Sequence, residues 1–262
     1  MLDGGAVTAV LTVVAGIVTG ALSAAFGIGG AVVSTPAIRL LGVSAALAVG
    51  TTLPSILPAA VSGTVRYARA GLVRWDVVLW TVGPGAPAAV AGARLSRAVP
   101  GDGHALMVVT ALLLGVGAAR MARAGAKPAV PPIPVGVSVD RRLVAAVGTA
   151  AGLLSGLLGV GGGIVMVPAF SEVLRLRLKS AIATSLACVG LLAVPATLTH
   201  WALGGIDWAT AALLSLGVVP GARLGAAVAT RATERHLRIT VAAVLGVTAV
   251  VYLVTELAAL AA

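Results

Sequence analysis

Residues 180–202 form a run of 23 without one charged side chain, and charge-free apolar runs also cover 6–26, 45–65 and 239–255. About 20 apolar residues is the length an α-helix needs to cross bilayer hydrocarbon. Lipid offers no water to an unpaired peptide group, so such runs must satisfy their backbone internally, as helices do. Charge is scarce throughout: 10% of 262 residues, against about a quarter in soluble domains. The chain therefore reads as an all-α polytopic membrane protein. Apolar segments lie at about 6–26, 31–41, 45–65, 77–97, 104–122, 143–159, 163–174, 180–202, 209–230 and 237–259.

Two glycine clusters interrupt these segments. Gly27-Ile28-Gly29-Gly30-Ala31 and Gly159-Val160-Gly161-Gly162-Gly163 each follow a long apolar run and precede a short one ending in proline, Pro36 and Pro168. Backbone broken at membrane depth is tolerated only where protein or a cavity surrounds it. Paired breaks at corresponding points of two halves point to a transporter's binding site.

The halves correspond. A shift of 132 residues lays Gly16, Gly20, Ser23, Gly27, Gly29, Gly30 and Pro36 on Gly148, Gly152, Ser155, Gly159, Gly161, Gly162 and Pro168. A shift of 133 then lays Thr51-Thr52 on Thr184-Ser185, Gly71 and Trp75 on Gly204 and Trp208, and Pro87 on Pro220. Between the copies, 123–140 is rich in proline, which favours an extended linker over a helix. The expected organisation is a first transmembrane repeat over 1–122, a cytoplasmic linker over 123–140 and a second repeat over 141–262.

Loop charge decides whether the copies are parallel or inverted. If every long run spans and both glycine clusters are surface loops, the cations divide nine against eight. If each cluster instead turns a re-entrant hairpin, three crossings per half remain and the second copy is inverted. Fourteen Lys and Arg, in loops 66–74, 120–142, 175–179 and 231–238, then face three: Arg39, Arg94 and Arg97. Lys/Arg bias sets orientation, which favours the inverted arrangement, with termini outside, although 6–26 is itself long enough to span. The first run could pass for a signal peptide, but Asp3 stands where a basic n-region would, so it is read as mature structure.

The net charge of +10 is spread over short loops with few aromatics, which fits orientation better than nucleic-acid binding. One cysteine, Cys188, excludes an internal disulfide or a Cys-based metal motif. His104, His200 and His236 lack ligand spacing, so neither metal nor cofactor is expected. There is no Walker motif, no mid-span carboxylate in the six expected crossings and no catalytic pairing, so the chain is not read as an enzyme.

Candidate binding residues follow from the breaks. The start of a helix carries unpaired N–H groups and partial positive charge, a natural seat for an anion. Gly29, Gly30, Gly161, Gly162 and Gly163 are therefore assigned to a small-anion site, whereas Gly16, Gly20, Gly148 and Gly152 are read as close helix packing. The hydroxyls of Thr51, Thr52, Thr184 and Ser185, at the start of the next helix in each half, could donate to the same anion; their alternative role is interhelical glue. Ser23, Ser34 and Ser155 are weaker candidates. Arg223 lies inside a span, where an ionisable residue marks a functional site unless it snorkels. Trp75 and Trp208 read as interface anchors, and Arg66 and Arg69 as orientation charges.

In this order, the motifs resemble those of the TauE/SafE family of sulfite exporters. The resemblance rests on 159–168 with its partner 27–36, on Ala48-Val-Gly-Thr-Thr and Ala181-Ile-Ala-Thr-Ser, and on Pro220-Gly-Ala-Arg-Leu-Gly; it spans nearly everything but the linker. It departs at Ala31, where the first cluster lacks its third glycine. The resemblance implies a permease of a bacterial inner (plasma) membrane for sulfite, organosulfonates or small carboxylated anions, with export the expected direction. Its partners would be a small anion and the lipid bilayer, without nucleic acid. A channel-like anion pore and a non-transporting membrane subunit are the rival readings.

Overall fold

The computed structural model describes residues 4–96, 98–99, 104–125, 139–159 and 161–261. All regular structure among them is helical: α1 (Gly4–Phe26), α2 (Ala31–Leu40), α3 (Ala45–Arg69), α4 (Trp75–Ser96), α5 (His104–Gly125), α6 (Arg141–Leu158), α7 (Gly163–Pro168), α8 (Leu178–Ala202), α9 (Trp208–Arg231) and α10 (Glu234–Ala261). A π-helical turn, Ala169–Val173, continues α7. Helix α5 runs on to Gly125, while Arg97 and most of the proline-rich stretch, 126–138, lie outside the described residues.

Among the described residues, seven helices are long and apolar enough to cross a membrane. They include α1 and α6, each of which leads into a glycine cluster, and omit α4. Helix α4 has the length, but Asp76, Arg94 and four Gly/Pro residues at 83–87 dilute its apolar run.

Small residues set the packing. A methyl at Gly16 or Gly20 of α1 would strike the carbonyls of Leu214 and Val218 in α9, and one at Gly217, Gly221 or Gly225 would strike Val13, Ile17 and Ala21 of α1. Both sets ascend together, so α1 and α9 run the same way with their backbones in contact. Helices α6 and α4 pair alike, Gly148, Gly152 and Gly156 resting on the carbonyls of Thr81, Gly85 and Ala89. Between membrane helices there is no hydrophobic drive to associate, and close approach of small residues supplies van der Waals contact instead. Gly16, Gly20, Gly148 and Gly152 thus act as the packing residues their sequence setting suggests.

Helices α3 and α8 form the centre. Gly63 meets Leu186 and Gly190 meets Ala60, so these two run antiparallel. Most of α8 is buried, including Cys188, which is fully enclosed. Hydroxyls tie distant turns to this pair: the Arg74 amide donates to Thr184 Oγ1 (3.0 Å), and the Asp207 amide to Thr51 Oγ1 (3.0 Å). Lys179 Nζ donates to the Thr230 carbonyl (2.8 Å), holding the end of α9 beside the start of α8.

Candidate functional site

Helix α1 ends where Gly27 turns left-handed (φ 67°) and its N–H closes on the Ser23 carbonyl at 2.8 Å. Helix α6 ends likewise at Gly159 (φ 67°), whose N–H closes on Ser155 at 3.0 Å. Gly29 (φ 90°) and Gly161 (φ 84°) then redirect the chain through a region that side chains rarely adopt. Helices α2 and α7 start after Gly30 and Gly162, and neither N-cap offers a side-chain acceptor to the opening amides.

The two breaks touch. The point where a Cβ on Gly161 would lie is 3.6 Å from Gly29 Cα, 2.9 Å from Val189 Cγ1 and 3.5 Å from Ile56 Cδ1. A methyl on Gly163 would collide with the carbonyl oxygens of both Gly27 and Ile28. The third glycine of the second cluster is therefore what lets the breaks cross. On the other side Ala31 is accommodated, fully buried, so the two clusters differ for a steric reason. The remaining contacts are matched: a methyl on Gly27 would meet the Ile182 carbonyl of α8, and one on Gly159 the Val49 carbonyl of α3.

All four hydroxyls singled out in the sequence are fully buried. Ser185 Oγ donates to the Gly27 carbonyl at 2.7 Å and so braces the first break directly. Thr52 donates to its own helix at Ala48 (3.1 Å) or Val49 (3.2 Å) and lies 3.4 Å from Thr35 Oγ1 of α2. Thr51 and Thr184 accept from the turns before α9 and α4 and keep their own protons to donate.

Serines ranked low in the sequence gain weight here. Ser23 Oγ and Ser155 Oγ, one turn before the two breaks, are buried and find no partner among the described residues, as does Thr19 Oγ1. Thr19 and Ser23 line a cavity with Gly29, Gly30 and Phe26 of about 10 Å³, room for about one water. The signal for Ser23 and Ser155 in the sequence is a hydroxyl four residues before a glycine of the cluster, repeated in both halves. Also unforeseen were two ties on the breaking helices. Tyr67 OH donates to the Ala24 carbonyl (2.6 Å), and His200 Nε2 lies 3.1 Å from the Gly156 carbonyl.

Arg223 lies elsewhere. It is exposed, eight residues before the end of α9, and lines a separate cavity with Arg66 and Arg69. Trp75 and Trp208 are half exposed at the starts of α4 and α9. Among the described residues no cluster of metal-ligating side chains occurs.

A bundle of long apolar helices in which two broken helix pairs meet inside the protein is the build of a membrane transporter. The comparisons with known proteins agree. The chain belongs to the sulfite exporter TauE/SafE family, whose profile matches residues 12–252. It is 28% identical over 245 residues to "Probable membrane transporter protein YunE" of Bacillus subtilis, covering 84% of this chain and 88% of that one. It is also 28% identical over 233 residues to a "Probable membrane transporter protein" of Xylella fastidiosa (87% and 88% covered). YjnA of Bacillus subtilis, of the same description, is 24% identical over 243 residues (88% and 94%). No solved structure matches.

Proposed function

We propose that the chain is a secondary carrier that moves small sulfur-containing or carboxylated anions, sulfite or an organosulfonate, across a bacterial plasma membrane. The observation that carries the reading is the close approach of the two breaks inside the protein, where a methyl on Gly163 would strike the Gly27 and Ile28 carbonyls and a Cβ on Gly161 would lie 3.6 Å from Gly29 Cα. The amides that open α2 and α7 lie in protein rather than lipid, the unpartnered Ser23 and Thr19 hydroxyls line a cavity at the first break, and the unpartnered Ser155 hydroxyl stands one turn before the second. Amides and hydroxyls replace the water around an oxyanion without a buried cation, so release stays easy. The family's own description points to sulfite among such anions. Export is the favoured direction, since each negative charge expelled down an inside-negative potential releases ~2.3 kcal/mol per 100 mV.

The inverted-repeat reading has its own support. Ile38 of α2 clusters with Ala48 and Leu214, near the starts of α3 and α9, as a hairpin returning to its side of entry requires. The sequence offset also carries contact onto contact: Gly16 on Leu214 becomes Gly148 on Thr81, and Thr51 with Asp207 becomes Thr184 with Arg74. Loops 66–74 and 175–179 and the end of α9 gather at one end of the bundle, as the charge bias asks. The break cavity, with room for about one water, is smaller than any of these anions; passage needs the halves to rock apart, which favours alternating access over an open pore.

The test is uptake into proteoliposomes of sulfite, sulfate, thiosulfate, sulfoacetate and taurine under an imposed potential. A carrier gives saturable flux of at least one of them, with counterflow and intact substrate recovered. Flux that never saturates would favour the pore, and no flux for any anion would favour a non-transporting subunit.

A further inference from the structure

The cavity that holds Arg223 has a chemistry of its own. It measures about 680 Å³ and lies between the C-terminal parts of α3 and α9, lined by Val61, Ser62, Val65, Arg66, Arg69 and Arg223. None of the three guanidiniums forms an ion pair with a described residue, and no acidic side chain among the described residues lines the cavity. A fourth cation, Lys179, is fixed at its rim by the bond to Thr230. Orientation in the bilayer accounts for Arg66 and Arg69, near the end of α3. It does not account for Arg223, which sits about 12 Å inside the end of α9 at the rise of an α-helix. The 133-residue offset carries Arg66 and Arg69 onto Thr199 and Ala202, and Arg223 back onto Val90, so the matching groove has none of these cations.

The walls decide what kind of anion fits. Val61 and Val65, eight and four residues before Arg69 on α3, line the same cavity and are 64% and 45% exposed. A soluble anion has no use for that apolar floor. An anionic phospholipid uses both parts, its phosphate among the guanidiniums and its first methylenes along the valines. Guanidinium is also the group best matched to phosphate oxygens, and basic pockets between membrane helices suit lipid headgroups. We propose that this groove is a binding site for an anionic phospholipid, held by Arg66, Arg69 and Arg223, and independent of the site at the glycine breaks.

Native mass spectrometry of the full chain in detergent, titrated with phosphatidylglycerol or phosphatidylcholine, tests this. The wild type is expected to retain phosphatidylglycerol in preference to phosphatidylcholine. R66Q/R69Q/R223Q should weaken that binding about a hundredfold, from the attraction of each basic residue to an anionic leaflet. R223Q alone, on an exposed position that leaves the fold intact, should weaken it about fivefold. R235Q/R238Q, which removes two cations that do not line the groove, should leave it unchanged. Wild-type retention of phosphatidylglycerol by both R223Q and the triple variant would overturn the proposal. So would competition by glycerol 3-phosphate or sulfite at the affinity of the lipid, which would make the groove a site for soluble anions.

Discussion

Gly163→Ala adds one methyl group at the crossing of the two breaks. Gly163 opens α7 with an ordinary helical backbone, so the substitution costs nothing in φ, and alanine even improves helix propensity. Its whole effect is steric. The methyl would lie well inside van der Waals contact with the carbonyl oxygens of Gly27 and Ile28. These are backbone atoms, braced by the bond from Ser185 to Gly27, and cannot rotate aside as a side chain could. Overpacking of this kind costs ~1–3 kcal/mol, and rigid partners put it at the upper end. Set against the crossed arrangement, ~3 kcal/mol lowers its weight relative to any uncrossed arrangement about a hundredfold. The control is Ala31→Gly, at the matched position of the first cluster, which removes a methyl and costs at most ~1 kcal/mol of helix propensity. Anion flux in proteoliposomes, normalised to monodisperse reconstituted protein, is expected near 1% of wild type for the first variant and within about fivefold of wild type for the second. Wild-type flux in Gly163→Ala, or an equal fall in both, would refute the reasoning.

Three further outcomes are expected. Gly162→Leu, which puts a branched side chain on a left-handed residue whose Cβ would meet the Ala151 carbonyl, should abolish flux while the protein still inserts; normal flux would exclude this break from the site. Ser185→Ala removes the donor to Gly27 and leaves a buried carbonyl short of a partner, so apparent stability should fall by ~1–3 kcal/mol, measured by denaturation in detergent. Asp207→Ala removes the cap of α9, in which the carboxylate accepts from Ala209 and Thr210, at ~1 kcal/mol. Bonding from Thr210 holds the Asp207 carboxyl below its ordinary range. A depressed pKa stabilises the fold above the unfolded value of about 3.9 and ceases to as pH falls through the folded value. The stability gap between Asp207→Ala and wild type should therefore close only below about pH 4.

The boundaries of the helices were legible because charge-free runs and glycine clusters report the bilayer directly; segments expected at 180–202 and 31–41 are α8 and α2 within a few residues. The breaks were legible for the same reason, since glycine at a kink leaves its mark in the chain. Their contact was not. Whether Gly161 meets Gly29 depends on how α3 and α8 cross, and nothing local encodes that. The hydroxyls show the limit most clearly. Thr51 and Thr184 look alike and are alike, but their partners lie 156 and 110 residues away. Thr52 and Ser185 also look alike, yet one bonds its own helix and the other braces the opposite break. Arg223 could be read only as a charge in a span, because its companions belong to α3. The contrast of Ala31 with Gly163 was visible in the sequence, and its meaning needed the collision with Gly27 and Ile28.

The central claim is that an anion is held where the two breaks meet. Crystals of the full chain soaked with selenite, a heavier analogue of sulfite, would locate the anion by the anomalous scattering of selenium. The account predicts a peak between Gly29 and Gly161, within hydrogen-bond reach (~3 Å) of the amides that open α2 and α7. A peak confined to the arginine cavity of α3 and α9, with the breaks empty, would contradict it.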